Sequence, residues 1–180
     1  MAIVSMSPAV AGNVALAAEY NKLITNITDL DTRMQVLENG TSSSLGARAR
    51  TTSSTGISAI STTETIIQSA TFTAEVGRRY RAILDAQFVF SDTSYYIIRG
   101  RWVTGATVTS AGTQFYYRFI SAGTPGNWEG PKTVIAEVTG IPAGQATIGF
   151  SIVRSSGSGN VDARADASDL RRMYIDDIGV

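Results

Sequence analysis

The sequence predicts a mainly β protein, with an N-terminal coiled-coil helix followed by one antiparallel, jelly-roll-like β-sandwich. Three observations carry this prediction. Apolar residues recur with alternating steps of four and three between Leu16 and Leu37. From about Thr63 onward the apolar period changes to two. Turn residues then punctuate the chain at intervals suited to about eight short strands.

The helix comes first. Ser7-Pro8 offers a start with proline at the first helical position, and Asn13 is an alternative cap. Leu16, Tyr20, Leu23, Ile27, Leu30, Met34 and Leu37 follow in a heptad pattern. Asn13, Tyr20, Ile27 and Met34 occupy a, and the leucines occupy d. Asn39-Gly40 ends the helix, because both residues tolerate the left-handed cap conformation. A helix of about 25 residues with so narrow an apolar stripe is marginal alone and has to bury its seam. The period of 3.5 favours a seam between identical parallel chains over packing on the chain's own sheet. Arg33 falls at g and Glu38 at the following e, so the two can pair between chains. A β-branched a position with leucine at d leans toward two chains, but only Ile27 supplies that signal, so heptad chemistry alone does not settle two chains against three.

The organisation expected is therefore an attachment segment and helix over 1–40, a linker or edge strand over 41–60, and the β-sandwich over 61–180. Residues 40–58 are dense in Gly, Ser and Thr, with alternation only at Ala47-Arg48-Ala49-Arg50. Strands are expected at 65–74, 79–90, 94–103, 114–121, 132–139, 146–154, 161–166 and 170–178. Glu75-Val76-Gly77, Ser91-Asp92, Gly123 to Asn127 and Gly140 to Gly144 supply turns between them.

Composition narrows the chemistry. The 180 residues contain no cysteine and no histidine. Disulfides, zinc sites of the Cys/His type and His-dependent catalytic triads are thereby excluded. Fifteen basic and fifteen acidic residues cancel, so nothing draws the chain generally to nucleic acid or an anionic membrane. Low net charge also reduces self-repulsion. Lys22 and Lys132 are the only lysines, and the arginine bias suits bidentate pairing at interfaces. No apolar run approaches the roughly 18 residues of a membrane span. The start lacks the positive region of a signal peptide. Assembly in a cytoplasm and release by lysis would fit.

Candidate contacts are few. The stretch Tyr95 to Trp102, with Phe115 to Phe119 and Trp128, is rich in the aromatic and arginine residues that anchor interfaces. Trp128, in a Pro/Gly loop, and Tyr116 are the possible ligand contacts. Ordinary strand packing accounts for the rest. Asp162, Asp166, Asp169, Asp176 and Asp177 gather near the C-terminus without calcium-loop spacing, so Arg164, Arg171 and Arg172 are the expected partners, and no metal or cofactor is expected. Glu64, Glu75, Asp85, Glu129 and Glu137 could supply a glycosidase pair, but nothing places two of them together.

Ala17-Ala18-Glu19-Tyr20-Asn21-Lys22-Leu23-Ile24, with Leu30 and Leu37-Glu38, resembles the N-terminal attachment helix of small tailed-phage virion proteins. Ala70 to Ala74 followed by Gly77-Arg78-Arg79-Tyr80-Arg81, and the ending Tyr174 to Gly179, are similar to segments of such proteins from phages of actinobacteria. The resemblance implies a trimeric, non-enzymatic head-decoration, head-fibre or minor tail protein located in the virion. Its partners would be further copies of itself and the major capsid protein or tail proteins. Two other readings stay open: a tail-associated adhesin holding a host surface glycan, and a glycan hydrolase on the same scaffold.

Overall fold

A computed structural model of the chain describes residues 24–28, 45–91, 93–121 and 128–180. It divides into two units, Met1–Ser44 and Leu45–Val180. In the first unit residues 24–28 are helical, with the Thr28 hydroxyl donating to the Ile24 carbonyl at 2.9 Å. Ile27 is 39% exposed there. The remaining seam positions, Leu16, Tyr20, Leu23, Leu30, Met34 and Leu37, and the pair Arg33 and Glu38, lie outside the described residues.

The second unit is an antiparallel β-sandwich. Its strands are β1 (Gly46–Ser53), β2 (Ile57–Ile60), β3 (Thr65–Ala74), β4 (Arg79–Phe90), β5 (Tyr95–Thr104), β6 (Thr113–Ser121), β7 (Trp128–Val138), β8 (Gly144–Ser156), β9 (Val161–Arg164) and β10 (Arg171–Gly179). One sheet runs β3-β8-β5-β6. The other is organised around β4, which pairs along its length with β7 on one side. On the other side β4 pairs first with β10 and then with β9. β1 flanks β10, and β2 flanks β9. Taking β1 with β2 and β9 with β10 as two broken strands leaves eight segments that pass between the sheets at nearly every connection, the strand order of a jelly roll. The segment 41–60 thus contributes two edge strands, of which β2 carried no periodic signal.

Alternation explains most of this. In β4 every second residue from Tyr80 to Phe90 is buried, while the intervening ones are half-buried or exposed. Buried rings from both sheets meet in the core. Phe72 packs edge-on to Tyr80 at 4.8 Å between centroids, and Phe90 lies 4.9 Å from Tyr96. The Tyr80 hydroxyl accepts the Glu75 N–H at 2.7 Å and so closes the β3–β4 turn, where Gly77 takes a φ of 76°.

β8 breaks the alternation. Its eight residues from Ala146 to Val153 are all buried. Ala146, Ile148, Phe150 and Ile152 belong to the core. The interleaved Thr147, Gly149 and Ser151 are small because other groups lie on them. The β5–β6 connection folds back over this face: Thr147 donates to the Gly105 carbonyl at 2.6 Å, and Gly105 N donates to the Gln145 carbonyl at 2.8 Å. A Cβ on Gly149 would stand 2.5 Å from Val108, so only glycine admits that plug.

Candidate interaction surface

Two ion-pair networks and one aromatic row mark the surface of the sandwich. The first network lies on the outer side of β5 and β8. Glu64 enters from just before β3 and is 11% exposed in its side chain. Arg101 grips it with Nε to Oε1 at 2.6 Å and Nη2 to Oε2 at 3.0 Å. Arg99 adds a short contact to Oε2, and Ser151 donates to Oε1 at 2.6 Å. Burial alone would raise the Glu64 carboxyl; the hydrogen bonds from Arg101, Ser151 and Arg99 overcome it and hold the group at about 2. Arg101 also donates to the Gly112 carbonyl at 2.9 Å, tying the folded-back connection to the same anchor.

The second network closes the far end of the β1-β10-β4 sheet. The fully buried carboxylate of Asp177 receives Arg48 from β1 at 2.6 Å and Arg78 from the β3–β4 turn at 2.7 Å. Glu75 pairs with Arg48 at 2.9 Å. Burial would raise Asp177 as well, but Arg78, Arg48 and the Gly179 N–H hold it below the usual carboxylate range. The expected pairing of the C-terminal aspartates with Arg164, Arg171 and Arg172 is therefore corrected for Asp177 and Arg171. Both face inward on β10, but six residues at ~3.3 Å each set them at opposite ends of the strand. Arg171 is buried instead among neutral acceptors, the Gln68 amide oxygen and the carbonyls of Ala163 and Thr55. Arg172 faces Asp85 at 4.0 Å. Asp166 caps the N–H groups of Ser168 and Asp169, and Asp162 accepts from Ala59 N.

Among the described residues, four of the five carboxylates named for acid–base work are likewise engaged; the Glu129 side chain lies outside them. Glu64 and Glu75 serve the two networks, Glu137 contacts Arg79, and Asp85 faces Arg172. No group of three or more acidic, Cys or His residues is placed to hold a metal among the described residues.

The aromatic row lies on β5 and β6. Tyr95, Tyr117 and Phe119 are 55%, 45% and 56% exposed. The Tyr117 and Phe119 rings meet edge to face at 5.2 Å, and Arg99 lies over the Tyr117 ring at 5.8 Å. Tyr116, expected as a contact, is instead half-buried and packs edge-on to Phe150 at 6.0 Å. A β-bulge turns its neighbour Phe115 to the same face, also 6.0 Å from Phe150. Gly100 pairs with Tyr116 and Arg101 with Gln114, so Phe115 is an extra residue. Trp128 belongs to the start of β7, opposite Val89, rather than to a loop. Its side chain lies outside the described residues. Simple alternation could not locate the bulge, but Gly100 was a signal: a Cβ there would stand 2.5 Å from the Phe115 ring. An open, polar depression of about 370 Å³ between β2 and β9, lined by Ser58, Asp162, Arg164 and Asp166, completes the surface.

No family model matches the chain, and no curated protein matches it. Solved structures similar to it include the insecticidal delta-endotoxin Cry8Ea1 of Bacillus thuringiensis, at 15% identity and a TM-score of 0.42 over 69% of this chain and 20% of that one. Infectious bursal disease virus, Gx strain, is similar at 12% identity and 0.41, over 72% and 32%. Tailspike protein 4 of bacteriophage CBA120, in its enzymatically active domain, is similar at 15% identity and 0.32, over 68% and 19%. The chain thus spans 19–32% of these three chains. Likenesses with TM-scores below 0.5 decide nothing about what this chain does.

Proposed function

We propose that the chain is a non-enzymatic structural component of a phage particle that acts by self-association. Three copies join along Leu16, Tyr20, Leu23, Ile27, Leu30, Met34 and Leu37, with Arg33 and Glu38 setting parallel register. Each copy carries its β-sandwich outward from the particle, as a capsid decoration or head-fibre protein assembled in the host cytoplasm. The single observation that carries the reading is the unbroken four-three spacing of those apolar residues.

The test is a double substitution, Leu23→Asp with Leu30→Asp. Light scattering is expected to change from the mass of three chains to that of one, while the β-sheet circular dichroism spectrum is kept. An unchanged mass refutes the seam. Labelled copies counted on assembled particles then separate a shell protein, present many times, from a tail component present a few times. A second reading, a tail-associated adhesin holding host glycan, draws support from the exposed Tyr95, Tyr117 and Phe119 beside arginines. Binding of the intact protein to host polysaccharide, lost on Tyr117→Ala, is its expected signature.

A further inference from the structure

A β-sheet edge offers unpaired N–H and C=O groups to any passing strand, and natural edges carry devices that discourage this. Among the described residues, four of the edges here carry such a device. β1 bears Arg48 and Arg50 and a register irregularity at Ala47/Ala49. β2 has four residues and an irregular ladder. β3 is covered by β1, with Thr51 donating to the Ser69 carbonyl at 2.9 Å and accepting from Gln68 at 3.1 Å. β7 contains Pro131, which has no N–H, followed by Lys132.

β6 differs. It pairs with β5 alone among the described residues. Its bulge sits at Phe115, and from Tyr116 to Ser121 the ladder is regular. That stretch holds one charge, Arg118, and no proline. Its outward residues Tyr117 and Phe119 are about half exposed. The outer face of the opposite sheet, by contrast, carries the pairs Arg79–Glu137 and Arg172–Asp85.

We propose that β6 is a second self-association site, at which the β6 strands of two copies pair antiparallel about a two-fold axis and continue the β3-β8-β5-β6 sheet. Charge selects the register. A two-fold axis through Arg118 would set two guanidinium groups directly opposite, which is unfavourable. Moving it one residue either way, to Tyr117 or Phe119, sets ring opposite ring and places Arg118 opposite Tyr116 or Ile120 of the other copy. Directly opposite residues share a face, so these are the neighbouring registers that keep the outward rings together. Such a pair cannot lie on a threefold axis, so in a trimer it joins copies from different trimers.

Area sets its strength. Each ring contributes roughly 100 Å² of exposed surface, so the two rings set opposite each other contribute about 200 Å² and all four no more than about 400 Å², taking ~200 Å² for a whole aromatic side chain. Stable interfaces bury about 1,200 Å² or more. The contact is therefore weak in dilute solution and effective where copies are crowded on one particle. Its use on a particle rests on the structural function proposed above, but its existence does not.

Sedimentation of the full chain carrying Leu23→Asp and Leu30→Asp tests it, because the helical seam is then removed. Between about 10 µM and about 1 mM this protein is expected to pass from monomer to dimer. Addition of Phe119→Asp is expected to weaken that dimer at least tenfold. Backbone amides of 116–121 are expected to exchange more slowly at the higher concentration, a measurement that needs no surface substitution. A seam variant that stays monomeric at about 1 mM, or β6 amides indifferent to concentration, overturns the proposal. Either result leaves the seam untouched, since the seam is read in dilute solution from the fall in mass between the unaltered protein and the double variant.

Discussion

Glu64→Gln isolates one network by removing a charge while keeping the side chain's shape. The Glu64 carboxyl is held at about 2, against an ordinary value of 4.5. Its folded-state value is depressed, so the stability it contributes is fully present above 4.5 and is lost as pH falls toward 2. At ~1.36 kcal/mol per pH unit the full effect is about 3 kcal/mol, an upper figure because solvent reaches Arg99 at the network's rim. The same linkage leaves about 1.4 kcal/mol at pH 3 and about 0.4 kcal/mol at pH 2. Urea unfolding of both proteins across that range is the assay, since the contribution of Asp177 is common to the two and cancels. The unaltered protein should be more stable by up to about 3 kcal/mol at pH 7, with most of the gap closed by pH 2. Parallel stability curves between pH 5 and pH 2 would refute the assignment of the Arg101, Ser151 and Arg99 contacts as the cause.

Two further outcomes are expected. Asp177→Asn leaves Arg48 and Arg78 facing a neutral group at a fully buried position, and should cost about 3 kcal/mol in urea unfolding at pH 7. Gly100→Ala places a methyl group against the Phe115 ring and Tyr116 Cβ, and should lower stability by about 1–3 kcal/mol. Much of that loss should return in the double variant with Phe115→Ala, which thermal unfolding would show as strong non-additivity.

Much of the sandwich was legible because period two is a local property. The expected bounds 65–74 and 79–90 match β3 and β4 to the residue, since a strand with one face in the core must alternate. β2 was not legible: four residues between a Ser/Thr-rich run and a turn are too few to show a period. β8 was legible as a strand but not as one covered on both faces, because its cover arrives from residues 105–112 of another connection. Its small outward residues Thr147, Gly149 and Ser151 were the trace this left in the sequence.

Sequence by itself determined the β class, most strand positions, the absence of Cys/His chemistry and the four-three stripe, all of which depend on residue type and short spacing. Only the tertiary structure decided which charges meet. Arg48 and Asp177 are 129 positions apart, and Glu64 and Ser151 are 87 apart. Partner choice at such separations follows from strand order, and strand order from how two twisted sheets bury one core. The same cause turns Phe115 inward beside Tyr116, out of step with the alternation that exposes Tyr117 and Phe119: one extra residue opposite Gly100 breaks the pattern at the bulge, and that residue is visible only once the two strands are paired.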